Sequence, residues 1–158
     1  MPKYFIYLIY TTIFALILIA TVPKKEIQRL AIYGIIFGGI MDVLMLIFGI
    51  VTGLYGWINY GPLGFMGIPL FSNVSWAIFF ILYFYFLPSK KPLVYLYASV
   101  GIMFAILYAN LVIDLGIFKS YSRILLPLIS FIGWFSIATL GFYKLNNYIE
   151  GNDKNSIK

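Results

Sequence analysis

Five acidic residues occur in the 158-residue chain, and one of them, Asp42, stands alone inside an uncharged stretch. It is about the twelfth residue of an apolar run from Ala31 to Val51, roughly 16 Å from its start at about 1.5 Å per helical residue. A carboxyl group so placed has three chemical uses: protonated, it donates a hydrogen bond; ionised, it holds a cation or water; in either form it meets hydroxyls brought to its level. Thr11, Thr12 and Ser136 are the hydroxyls at similar depth. Every Lys and Arg falls near the end of an apolar run, so no basic partner is expected. Asp42 is therefore the candidate catalytic acid and the first candidate ligand contact.

A second group follows it. Tyr55, Trp57, Tyr60 and Trp76, together with Asn59, Asn73, Asn110 and Asp114, have the composition of a pocket for a flat apolar molecule: rings for the walls, a few polar groups for orientation. The plainer reading of the rings, with Phe71, is an aromatic belt at a lipid–water boundary. Asn110 and Asp114 are four apart and share a helix face, and the plainer reading of Asp114 is a solvated helix end. Asp42 and Asp114 differ in expected depth by about half a membrane, too far for a catalytic carboxylate pair.

The missing residue types remove other chemistries. With no Cys and no His there is no disulfide, thiolate nucleophile or imidazole base, and no metal site or cofactor is expected. The glycines lack the Lys of a phosphate-cradling loop, and no serine sits in a nucleophile motif. The net charge of +6 arises from basic residues scattered singly or in short clusters, which suits an anionic lipid surface better than nucleic acid.

The elements that must position these groups follow from composition. Hydrophobic residues make up 63% and charged residues 10% of the chain, against about 45–50% and about 25% in a soluble domain. Five uncharged runs approach the roughly 20 residues that span a bilayer: Tyr4 to Val22, Ala31 to Val51, Leu70 to Leu87, Leu93 to Ile113 and Ile124 to Tyr143. Pro23 and the Pro88–Pro92 turn separate neighbouring runs, and Pro127 suits a first helical turn. The first run is longer than a signal-peptide core and lacks a small-residue cleavage site, so it is read as a helix. The expected fold is an all-α integral membrane protein of five transmembrane helices, with one domain over 1–145 and a flexible polar cytoplasmic tail over 146–158. Eight basic residues, Lys24, Lys25, Arg29, Lys90, Lys91, Lys144, Lys154 and Lys158, fall on one side, against Lys3, Lys119 and Arg123 on the other. That asymmetry predicts the N-terminus outside and the C-terminus in the cytoplasm.

Gly34, Gly38, Asp42, Met45, Gly49 and Gly53 recur at spacings of three and four, on one side of the second helix. Gly34/Gly38 and Gly49/Gly53 are small-x-x-x-small pairs, predicted to be helix-packing positions within the chain or in a homo- or hetero-oligomer. Between the second and third helices, Thr52 to Asn73 is uncharged but rich in glycine and proline. Such a stretch breaks helix without suiting a solvated loop, and predicts a re-entrant or interfacial cap.

The stretches VPKKEIQRLAIYGIIFGGIMD and GIPLFSNVSWAIFFILYFYFLP, covering most of residues 20 to 90, resemble an uncharacterised family of small multi-pass bacterial membrane proteins. The resemblance implies a five-helix fold in the bacterial inner membrane and no known activity. GIVTGLYGWINYGPLGFMGIPLFSNVSW, Gly49 to Trp76, is similar to the glycine- and aromatic-rich region of membrane carotenoid hydratases, in which an acid precedes the glycines; Asp42 is the nearest match. The leading expectation is a protein that is not evidently an enzyme and binds a lipid or isoprenoid in an outer-leaflet aromatic cleft. Its rivals are a membrane enzyme that hydrates or isomerises a polyprenyl or carotenoid chain, and an accessory subunit of a membrane transport complex using the Gly34/Gly38 face.

Overall fold

Proline and glycine divide the apolar sequence into five helical rods. In the computed structural model, which describes residues 2–155, α1 is Phe5–Thr21 and α2 is Lys24–Thr52. They are followed by α3, Leu70–Tyr85, α4, Lys91–Asp114, and α5, Leu125–Asn155. Pro23 begins α2, and Pro92 and Pro127 lie in the first turns of α4 and α5, where a missing N–H breaks no helical bond. Gly53 ends α2 in the left-handed conformation, φ 71°, a backbone state that costs glycine no steric penalty. The expected runs and the observed rods agree in number and order, and the fold is all-α with two small β-ribbons. Helix α5 continues through 146–155, where a flexible tail is expected; residues 156–158 of that tail lie outside the described residues.

Within α2, Gly34–Ile40 forms a π-helical segment. Its glycines let two backbones meet: a Cβ on Gly34 would stand 2.6 Å from the Ala77 carbonyl oxygen, and one on Gly38 2.7 Å from the Ala77 Cα. Helix α3 therefore lies directly against the wide turn. From the opposite side α5 fixes the same turn, the Trp134 Nε1 donating a 2.6 Å hydrogen bond to the Phe37 carbonyl.

Two loops distant in sequence pair to form a cap. Strand β1, Tyr55–Trp57, follows α2, and β4, Phe118–Ser120, precedes α5; they run antiparallel with Tyr55 opposite Ser120 and Trp57 opposite Phe118. Ile58 N–H to Ile117 O (2.9 Å) and Tyr121 N–H to Leu54 O (2.8 Å) extend the ladder. The buried Tyr7 hydroxyl lies 2.8 Å from Ile58 O and 2.9 Å from Ile117 O, pinning the first turn of α1 to this ribbon. Between β1 and α3, the short strands β2, Gly64–Phe65, and β3, Ile68–Pro69, form a hairpin. Its two turn residues, Met66 and Gly67, have φ 50° and 83°, the pattern of a type I′ turn.

These contacts gather the start of α1, the end of α2, the starts of α3 and α5 and the end of α4 at the ribbon. Lys24, Lys25, Arg29, Lys90, Lys91 and Lys144 belong to the opposite end, where the Tyr143 hydroxyl bonds to Pro88 O at 2.9 Å. Phe80, Ala105, Phe135 and Ala138 are fully buried between the rods, whereas Leu16, Ile19, Leu107 and Leu140 are 62, 72, 67 and 64% exposed. The outward surface of the rods thus carries many large apolar side chains.

Candidate functional site

Helix α2 delivers Asp42 two residues beyond the wide turn, on the side facing α1, α3 and α4. The residue is 4% exposed, and its Oδ2 has no hydrogen-bond partner in the protein. Its polar surroundings come from three other helices. The Ser72 hydroxyl of α3 is within electrostatic reach of both the Asp42 carboxyl and the Tyr10 phenol of α1, and Tyr10 reaches Tyr108 of α4, their rings 5.5 Å apart edge to face. No directed hydrogen bond joins Ser72 to Asp42 or Tyr10, and the Tyr10 hydroxyl and Ser72 Oγ are likewise buried without a partner. The arrangement is a polar knot inside an aromatic interior, in which each unmet group carries a desolvation cost of about 1–3 kcal/mol.

Asp42 and Tyr108 also line a partly open cleft with a cavity volume of about 70 Å³. That volume is enough for a handful of waters or one end of a chain molecule. The ribbon roofs the cleft with Tyr55, Trp57 and Phe118; Trp76 of α3 and Trp134 of α5 form walls; Leu126, Pro127 and Ser130 bring in the first turns of α5. Its surface is almost wholly apolar, and no Lys or Arg lines it. The Trp57 indole nitrogen is a further buried atom without a partner.

Tyr55 closes the roof against α2. Its hydroxyl donates to Met45 O at 2.7 Å, and its ring occupies the space a side chain at Gly49 would need. Burial, reinforced by the nearby Asp42 carboxyl, pushes the Tyr55 phenol up from about 10 to about 12.

Of the residues singled out by sequence, the cleft brings together Asp42, Tyr55, Trp57 and Trp76. Trp57 and Trp76 are 6 and 8% exposed, so they are interior walls and not an aromatic belt. Tyr60 packs with Tyr7 and Trp57 beneath the ribbon, outside the cleft. The remaining polar candidates shape loops: Asn59 Nδ2 donates to Gly116 O (3.0 Å), Asn110 Nδ2 to Ile106 O (3.0 Å) and Arg123 O (2.9 Å), and Asp114 pairs with Arg123 at 2.7 Å on an open surface. Asn73 has a buried, unpartnered Oδ1 but does not line the cleft.

The hydroxyls expected near Asp42 are used elsewhere. Thr11 meets Ser75 at 2.6 Å, Thr12 bonds back to Leu8 O, and Ser136 is exposed; Ser72 takes their place. Ser72, Tyr10, Tyr108, Phe131 and Trp134 were not legible as site residues, since nothing in an aromatic-rich run marks which ring faces a gap. Gly34 and Gly38 pack on α3 of the same chain, Gly49 accepts the Tyr55 ring, and Gly53 is the end of α2 with open space around it. Among the described residues no three His, Cys, Asp or Glu side chains gather as a metal site.

Fold and site thus define an all-helical protein of five rods, three of them long and apolar enough to cross a membrane, with an apolar cleft containing one buried acid. Comparison of the chain with protein-family models, with characterised proteins and with solved structures finds no match.

Proposed function

We propose that the protein is a multi-pass protein of a bacterial inner membrane that holds one end of a lipid or isoprenoid in the cleft beneath its ribbon. The helices Lys24–Thr52, Lys91–Asp114 and Leu125–Ile149 have 29, 24 and 25 residues and are apolar throughout their best windows. Helices α1 and α3, with 17 and 16 residues, reach about 26 and 24 Å, and an extended residue adjoins one end of each, Val22 after α1 and Pro69 before α3. The apolar outer surface of the rods supports lipid as their solvent. Basic residues concentrated at the end away from the ribbon support five crossings with that end in the cytoplasm and the ribbon, N-terminus and cleft outside.

The observation that carries the binding reading is the cleft itself: an almost wholly apolar wall with Asp42 as its one carboxyl group, beside Tyr108, Ser120 and Ser130. Purification in mild detergent followed by mass spectrometry of co-extracted lipids tests it. The expected result is a specific apolar species retained by the wild type and lost when Ser130→Trp fills the cleft from α5. Retention of bulk phospholipid alone, unchanged by that substitution, overturns the reading.

A second reading is favoured by the position of Asp42 inside the cleft: acid-assisted hydration of a polyprenyl chain, with protonated Asp42 giving its proton to one carbon of a double bond, water adding to the other as the hydroxyl, and the remaining water proton returning to the Asp42 carboxylate. Conversion of an added polyene by the wild type but not by Asp42→Asn is its test.

A further inference from the structure

We propose that the cleft fills sideways from the lipid, through a mouth between α2 and α5, and that its occupant is the hydrocarbon chain of a lipid in the leaflet beside the ribbon. This rests on the reading that the cleft holds an apolar chain, and it names the source of that chain and its route. Among the lining residues, Trp76 of α3 and Ala109 and Val112 of α4 are buried. Met45 of α2, Tyr55, Phe118 and Ser120 of the ribbon, and Leu126 and Ser130 of α5 keep some exposure and trace the rim. Tyr108 of α4 is also only partly buried, and it borders a second, smaller pocket beside Phe14 and Phe104. The exposure of the cleft is therefore gathered where α2 faces α5.

The mouth has a fixed tie at each end. At one, Trp134 Nε1 donates to Phe37 O at 2.6 Å, and the Phe37 ring fills the space beside Gly141 of α5. At the other, Tyr55 of β1 pairs with Ser120 of β4. Between them, Ser130 and Gly133 are small residues three apart on one edge of α5, and a Cβ on Gly133 would meet nothing within 4 Å, so that edge presents little bulk to an entering chain. The ribbon covers the cleft from the loop side: the Trp57 and Phe118 rings pack edge to face, 4.8 Å apart, and Ile117 next to Phe118 is fully buried. Outside the rim the surface is hydrocarbon, with Leu44 and Phe48 of α2 56 and 54% exposed and Ile129 and Ile137 of α5 62 and 53% exposed. A ligand arriving from water would have to cross that surface, whereas a lipid chain already lies against it. Asp42 is buried one turn from Met45 along α2, past the rim, where an entering chain would reach it.

The chain has three tryptophans, Trp57, Trp76 and Trp134, and all of them line the cleft, so its intrinsic emission reports on the site without a label. The test reconstitutes the full-length protein in phosphatidylcholine vesicles with ordinary or brominated acyl chains, and adds aqueous iodide as a second quencher. For the wild type, brominated chains should remove most of the emission and iodide little of it. Ser130→Phe, which narrows the rim, should recover most of that loss, whereas Ile132→Phe, on the outward face of α5, should recover none. Stronger quenching by iodide than by brominated chains overturns the side route, as does a loss that Ser130→Phe leaves unchanged. In either event, a chain that co-purifies with the wild type and is lost in Ser130→Trp leaves the binding reading standing, and the lack of such a chain ends both. Should Ser130→Phe not fold, Leu126→Phe on the same rim takes its place.

Discussion

The indole of Trp134 donates its only proton to the carbonyl of Phe37, 2.6 Å away, so that α5 is tied to the π-helical turn that precedes Asp42 by a few residues. Wide turns of this kind recur at functional sites, and here the same indole also forms a wall of the cleft. The support of the site and its lining are therefore one side chain. Trp134→Phe should retain ring contact with Phe80 and Trp76 but leave a buried carbonyl unmet, at a cost of about 1–3 kcal/mol. A fall in detergent melting temperature, with retention of the bound chain weakened in parallel, is the expected outcome. Thermal unfolding and lipid analysis of the same preparation check it.

Two glycine substitutions should move stability in opposite directions. At Gly38 a methyl group would collide with the backbone of Trp76 and Ala77, so Gly38→Ala must push α2 from α3 and lower the melting temperature. At Gly133, inside α5, an added Cβ meets nothing within 4 Å, and Gly133→Ala should be neutral or stabilising by up to about 1 kcal/mol through helix propensity. Melting curves of both variants in one detergent give the comparison.

The pH dependence attached to Tyr55 has a definite sign. Its phenol titrates at about 12 in the folded chain against about 10 when unfolded, so the folded state holds its proton longer. The stabilisation is fully present below about pH 10 and is lost as pH rises through 10 to 12. Tyr55→Phe should therefore be less stable than the wild type at pH 8 through loss of the bond to Met45 O, with the gap narrowing above pH 10. Unfolding series from pH 8 to pH 11.5 measure the gap; a constant difference would refute the assignment.

The absence of cysteine makes topology directly measurable. Lys25 in the first turn of α2, Ser89 between α3 and α4, and Lys119 in β4 are exposed positions at the two ends of the rods where single cysteines can be placed. In intact cells a membrane-impermeant thiol reagent should label the Lys119→Cys variant, whereas Lys25→Cys and Ser89→Cys should react only after the membrane is opened. Labelling of Ser89→Cys in intact cells would reverse the proposed orientation.

The rods were legible because each is a charge-free run closed by proline, glycine or lysine, and Asp42 was legible because a single acid deep in such a run must be either buried or paired. The contact of Gly34 and Gly38 with a neighbouring helix also follows from spacing, although only the fold identifies α3 as that neighbour. The ribbon was not legible. Tyr55–Trp57 and Phe118–Ser120 are three residues each, too short for an alternating pattern, and their pairing depends on how four helices set the distance between them. Polar residues near an apolar run signal a pocket contact as readily as a loop bond, and Asp114 also a solvated helix end; in the fold Asn59 and Asn110 bond to loop carbonyls, and Asp114 pairs with Arg123 on an open surface. The GIIFGGI stretch advertised close packing, but a π turn differs from an α turn by a single hydrogen-bond register, which sequence spacing does not mark.

The pairing of Tyr55 with Ser120 carries a consequence for biogenesis. A nascent chain that has released only its first three helices still lacks β4, so the acid on α2 has no finished shelter until α4 has emerged and turned back. Until then the Asp42 carboxyl lacks that cover. A chain that ended between α3 and β4 would leave the acid unroofed among apolar rods, without Phe118 and Ser120 over it.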